Sequence, residues 1–243
     1  LIRGLTGLEP GATATLPTGE AVTAPRVSGP IAWHAPITLA DWTFAAGLTE
    51  LPVKQALIGP YTIGRLAAIE AAERPRVTLA IAEALNAELR ALAAAGVPVV
   101  QVEEEAATAI GDDRLEWELL AAAHRALTES LATDIIHLSF AALGGAIHPA
   151  GFAAVLDRPY RSVLFDALAG PAAWRFALAV PPERGLIAGA VDAHRPTYDE
   201  IEVMVAAMAW AARDDRGEER VGIAPNATLA LIDRHYARRK CER

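Results

Sequence analysis

Hydrophobic and polar positions along this chain alternate between two patterns. Short, almost wholly apolar runs are separated by longer stretches in which apolar residues recur every three to four positions. The runs at 53–58, 97–103, 135–139, 162–166, 186–191 and 221–224 predict strands. The stretches at 76–95, 115–131, 150–156, 172–179, 198–212 and 229–238 predict helices. Strands apolar on both faces belong inside a parallel sheet with helices packed outside it. The regular succession predicts an α/β fold, a (β/α)8 barrel rather than a doubly wound sheet, with two of the eight strands unaccounted for. Ahead of it, 13–16 and 20–27 predict a hairpin about the Pro17-Thr18-Gly19 turn, and 38–48 a helix with Thr38 as N-cap. The expected organisation is one barrel domain over 1–243, with residues 1–37 as an N-terminal hairpin extension packed on it.

The predicted strand tips are polar. Val99-Val100-Gln101-Val102 runs into Glu103-Glu104-Glu105, His137-Leu138-Ser139 is read as the end of the third strand, and Asp166 ends the fourth. Asp192-Ala193-His194 follows the fifth and Pro225-Asn226 the sixth. In a barrel these tips meet on one face, where ligands bind. Each has a plainer reading: a solvated acidic loop for the glutamates, a hydrogen-bonded core histidine for His137, a loop-anchoring pair for Asp192 and His194. Asp166, after three apolar residues, needs a partner to be buried. Gly59-Pro60 reads as a tight turn that also lets a flat ligand approach the backbone.

Composition narrows the function. Net charge is −8 with no long basic run, which argues against nucleic acid as a partner. The one cysteine, Cys241, permits no internal disulfide and no cysteine-rich zinc site. No apolar run is long enough to span a membrane and no signal peptide stands out, so a cytoplasmic location is expected. Neither G-x-G-x-x-G after the first strand nor a Walker motif occurs.

In order and spacing, the motifs resemble cobalamin-independent methionine synthase. Pro52-Val53-Lys54-Gln55-Ala56-Leu57-Ile58-Gly59-Pro60-Tyr61-Thr62 is similar to that family's P-V-K-x-x-L-x-G-P-x-T segment. Ala95-Gly96-Val97-Pro98-Val99-Val100-Gln101-Val102-Glu103-Glu104 resembles its A-G-x-x-x-I-Q-I-D-E strand, and Val191-Asp192-Ala193-His194-Arg195-Pro196 its Y-D-I-H-S-P. His137-Leu138-Ser139 falls on H-x-C, and Ile223-Ala224-Pro225-Asn226-Ala227 on V-N-P-D-C.

The resemblance implies the catalytic barrel of an enzyme that moves a methyl group from 5-methyltetrahydrofolate to the homocysteine thiol without cobalamin. It implies substrate binding by Glu103, Glu104 and Thr62, and His194 as proton donor beside Asp192. The family activates its thiol on zinc held by one His, two Cys and one Glu. Here His137 stands with Asp166, while Ser139 and Ala227 replace the cysteines, so the implied zinc site is absent or weak. Arg65-Leu66 stands where a folate-stacking tryptophan is expected.

The expected activity is therefore methyl transfer to an amino acid such as homocysteine, with a degenerate zinc site. Two alternatives stand beside it. One is a metal-independent decarboxylase-like barrel enzyme using Arg65, Arg161 or Arg195. The other is a noncatalytic paralogue that binds a small molecule or a partner. The two missing strands point to a homo-oligomer, a partner subunit or a further segment.

Overall fold

The computed structural model describes residues 3–132 and 135–242. It opens with an antiparallel hairpin, β1 (Leu5–Thr15) and β2 (Ala21–Trp33). Gly19, at φ +84°, turns the chain back, and Leu16 N–H donates to Glu20 O at 2.9 Å. The hairpin is longer than the pattern predicted. Pro10, Pro25 and Pro30 interrupt the alternation there, and bulges absorb the irregularity.

Helix α1 (Leu39–Ala46) follows. Thr38 sits at its N-cap position but makes no side-chain cap; its hydroxyl donates instead to Glu88 Oε1 at 3.0 Å. Glu88, fully buried on α3 (Arg74–Ala94), also accepts from Trp33 Nε1 and from the amides of Ile37 and Thr38 at 2.8–2.9 Å. One buried carboxylate thereby fastens the hairpin's exit to the helix layer.

Six parallel strands pair in sequence order: β3 (Lys54–Ile58), β4 (Val99–Glu103), β5 (His137–Ala142), β6 (Ser162–Phe165), β7 (Gly185–Val191) and β8 (Val221–Pro225). Between them run α2 (Pro60–Leu66) and α3 after β3, α4 (Arg114–Thr128) after β4, α5 (Phe152–Leu156) after β5, α6 (Pro171–Ala179) after β6 and α7 (Ile201–Ala211) after β7. Helix α8 (Arg234–Cys241) closes the chain. Asp113 caps α4 by accepting from the amides of Leu115 and Glu116. The segment read as a tight turn at Gly59-Pro60 is the start of α2: proline is suited to a first helical position, where no amide proton is required.

Alternate strand residues divide the interior. Val100, Val102, Leu138, Phe140, Val163, Phe165 and Leu186 point outward into a core shared with Ile81, Leu85, Leu89 and Leu92 of α3, Leu120 and Leu127 of α4, and Phe176 of α6. Each large side chain buried this way contributes roughly 1.5–3 kcal/mol. The opposite set, including Lys54, Val99, Ser139, Ser162, Ile187 and Gly222, borders one common cavity of about 790 Å³. Six strands therefore curl around a shared lumen in barrel fashion. Among the described residues no ladder joins β8 back to β3.

One predicted boundary is corrected with consequences. His137-Leu138-Ser139 opens β5 rather than ending it, and the strand continues to Ala142. Phe140-Ala141-Ala142-Leu143 is apolar throughout, so nothing in the pattern marks the true end.

Candidate active site

The C-terminal ends of the strands form a mouth, and the turn of the β1–β2 hairpin lies across it. Thr18, 1% exposed, donates its hydroxyl to Glu105 Oε2 at 2.6 Å, and its carbonyl accepts from His194 Nε2 at 2.9 Å. A Cβ built on Gly144, after β5, would lie 2.6 Å from Thr18 N, so only glycine allows the turn to settle there. A single residue of the hairpin thus meets the loops after β4, β5 and β7. Nothing in the local sequence announces Thr18 as a mouth residue.

The three consecutive glutamates after β4 go to three environments. Glu103 lies on the lumen side, where Gln101 Nε2 donates to its Oε1 at 2.7 Å and Lys54 Nζ donates to Gln101 Oε1 at 2.6 Å. Burial raises the Glu103 carboxyl pKa above its ordinary range, and burial lowers that of Lys54. Glu105 is pushed up to about 7, chiefly by burial, with the charges of Glu103 and Glu20 adding to it. Among the described residues Thr18 is its one side-chain donor, and the Thr18 backbone amide acts on it as well.

Glu104 turns the other way and is fully buried. It accepts from the amides of Tyr61 (2.9 Å) and Thr62 (2.7 Å), the Thr62 hydroxyl (2.7 Å) and His124 Nε2 (2.9 Å). Assigning the Nε2 proton to that bond leaves His124 Nδ1 to accept the Tyr160 hydroxyl. Gly59 lies so close that a Cβ there would sit 2.2 Å from Glu104 Oε1. Glu104 and Thr62, expected to bind substrate, face the interior between α2 and α4 rather than the mouth. Both are 0% exposed and hydrogen-bonded to each other, and they tie the first turn of α2 to α4.

Asp166, just past β6, is also buried, which raises its carboxyl pKa. It has the partners its position demands: the amides of Leu168 (3.0 Å) and Gly144 (3.3 Å), and Asn226 Nδ2 (3.4 Å). Asn226 in turn accepts from Ala193 N–H at 3.0 Å, so one side chain spans the tips of β6, β7 and β8. Asp192 and His194 lie in the turn after β7. Asp192 Oδ1 accepts from His194 N–H at 2.9 Å and stands 3.7 Å from His194 Nδ1.

The donors that the resemblance nominated for a metal do not come together. His137, at the N-terminal end of β5, bonds Ser162 Oγ at 2.8 Å. The β5–β6 register places Asp166 level with the residue after Ala142. At about 3.3 Å per residue, that is roughly 20 Å from His137. Ser139 is buried in the lumen with no hydrogen-bond partner, and Ala227 carries no donor atom. Among the described residues no group of three or more His, Cys, Asp or Glu side chains is placed to hold a metal ion. These residues do not fit a zinc centre. Of the arginines considered for a decarboxylase, Arg161 lies beside the N-terminal end of β6, and Arg195 pairs with Asp192 at 3.5 Å. Among the described residues no helix is long and apolar enough to cross a membrane.

Solved structures share this architecture. A B12-independent methionine synthase from Shewanella sp. W3-18-1, determined with selenomethionine, aligns with a TM-score of 0.80 at 18% identity, over 98% of this chain and 74% of that one. A putative vitamin-B12 independent methionine synthase from Listeria monocytogenes aligns at 0.71 and 15% identity, over 99% and 74%. A methyltransferase from Methanosarcina mazei aligns at 0.55 and 12%, over 78% and 56%. At these identities the likeness establishes the fold. The family itself comes from the sequence: residues 14–143, more than half of the chain, match the model of the cobalamin-independent synthase catalytic domain. The hairpin turn across the mouth, the carboxylates after β4 and the strands that carry them all fall within that span, and this chain belongs to the cobalamin-independent synthase family.

Proposed function

We propose that the mouth binds an amino acid and that the protein transfers a methyl group from a folate-type donor to it, with homocysteine or a related thiol as acceptor. The observation that carries this reading is Glu103. It sits at the C-terminal end of a barrel strand, on the lumen side, with one oxygen held by Gln101. A carboxylate so placed suits the ammonium group of an amino acid.

Transfer forms a bond from acceptor sulfur to the methyl carbon and breaks the bond from that carbon to the donor nitrogen. The thiol proton must leave, and the donor nitrogen must gain one. Glu105, with a pKa of about 7, is matched to take the proton from a thiol near neutral pH. His194, beside Asp192 at 3.7 Å in the turn after β7, is the group placed to return a proton to the donor. No step is routed through zinc, because the residues present do not assemble a site for it.

Calorimetric titration with L-homocysteine tests the reading. Glu103→Gln is expected to weaken binding at least tenfold, corresponding to about 1.4 kcal/mol. Unchanged affinity rejects Glu103 as the anchor. Absence of methyl transfer from 5-methyltetrahydrofolate to homocysteine by the unsubstituted protein rejects the reaction.

A further inference from the structure

The lumen has a second end, opposite the mouth. The cavity of about 790 Å³ is bordered by the first residue of every strand from β3 to β8: Lys54, Val99, His137, Ser162, Gly185 and Val221. Ala141 and Leu164 lie two residues beyond Ser139 and Ser162, and they pack with Leu143, Ile187 and Ala224. That apolar layer stands between the cavity and the mouth. None of Glu103, Glu105, Asp166, Asp192 and His194 borders the cavity.

The two ends differ in charge. Carboxylates gather at the mouth, where Glu103 and Glu20 act on Glu105. At the opposite end four cations, Lys54, Arg161, Arg184 and Arg220, border the cavity against two carboxylates, Glu183 and Glu219. Glu219 is already paired with Arg220 at 2.8 Å. Positive charge is therefore in excess here, in a chain whose net charge is −8.

Hydrogen-bond donors are in excess as well. Ser139 borders the cavity, is 1% exposed, and its hydroxyl has no partner among the described residues. Arg184 Nη1 is likewise buried and unpartnered. Lys54 Nζ, with three protons, donates to Gln101 Oε1 at 2.6 Å. Ser162 Oγ lies 2.8 Å from His137 Nε2, and with the imidazole as donor the serine keeps its own proton for another acceptor. Buried donors without partners are costly, and several bordering one cavity point to a ligand that accepts from them.

We infer that this cavity binds a small molecule through a phosphate group. Phosphate brings the negative charge that the cations share, and enough acceptor oxygens for hydroxyls, an ammonium and a guanidinium together. A carboxylate, with one charge and two oxygens, satisfies fewer of them. The volume exceeds what orthophosphate alone fills and lies within the range of small-molecule pockets, about 300–1,000 Å³, which favours a phosphate monoester over free phosphate. Val99, Ile187 and Val221 offer apolar wall to its organic part. This site is separate from the one proposed for the amino acid, and neither depends on the other.

Calorimetric titration of the 243-residue chain with inorganic phosphate and with glycerol 3-phosphate, at constant ionic strength, tests the inference, with succinate as the carboxylate control. Both phosphates are expected to bind one to one and at least tenfold more tightly than succinate, the monoester at least threefold more tightly than phosphate. Arg184→Gln should weaken phosphate binding at least tenfold. Ser139→Ala should weaken it at least threefold without lowering the unfolding midpoint, because the hydroxyl it removes bonds nothing in the fold. The inference is overturned if neither phosphate binds, if succinate binds as tightly, or if both variants bind phosphate unchanged. A monoester that binds no better than phosphate overturns the preference for an attached organic part.

Discussion

The socket behind β4 and the mouth in front of it handle the same chemical group in opposite ways. In the socket, Glu104 is enclosed by two amides, a hydroxyl and an imidazole, and every donor is directed at it. In the mouth, Glu105 is nearly as buried, but among the described residues its donors are those of one residue, Thr18, and two further carboxylates, Glu103 and Glu20, act on it. The difference lies in donors rather than depth. A buried carboxylate supplied with enough of them is a structural anchor. One left short of them keeps its proton to higher pH and becomes available for proton transfer.

The sharpest way to break this comparison is to empty the socket. Glu104→Ala should cost about 3–5 kcal/mol in denaturant unfolding, because it strands His124 and the first amides of α2 without an acceptor. A loss below about 1 kcal/mol would mean the socket is no anchor.

The next effect is on pH dependence. Glu105 has a folded pKa of about 7 against an ordinary value of 4.5, so between those values the folded state binds the extra proton. Its contribution to stability is therefore present at low pH and lost as pH rises through that window, by up to about 3 kcal/mol. Glu105→Gln should remove this slope and leave the protein more stable than the unsubstituted chain at pH 8, as measured by thermal unfolding across pH.

Thr18→Val deletes the one side-chain donor to Glu105. A loss of about 1 kcal/mol is expected, with the midpoint of the pH dependence moved upward. A midpoint that stays in place would dissociate the hairpin from the mouth's electrostatics. Smallest of all, Glu103→Gln should change stability by less than about 1 kcal/mol while weakening amino-acid binding at least tenfold, since Gln101 can still bond the new amide.

Much of the fold can be read from the sequence because the alternation of apolar runs with helical periodicity is strong. The six strands of the sheet and the long helices α3 and α4 follow from it directly. The readings that failed share a cause: a boundary with no contrast, or a partner far along the chain. His137 and Ser139 are the last polar residues before an apolar stretch, so the pattern places the end of β5 where the strand begins, and His137 and Ser139 lie far from the mouth that Asp166 reaches. Pro60 looks like a turn because proline serves both turns and helix starts. The division of labour among Glu103, Glu104 and Glu105 has no local signature, because His124 and Thr18, which decide it, come from other elements.

The bond between Thr18 and His194 joins residues 176 positions apart. Contacts of that span form after the entropy of a long loop has been lost, and they slow folding relative to local pairs such as β1 with β2. The mouth is consequently a late product of folding. During synthesis the hairpin turn meets its first partner, Glu105, when the loop after β4 emerges, and its last, His194, only when the loop after β7 has left the ribosome. The mouth is thus assembled in steps, and the His194 contact with Thr18 is the one that closes it.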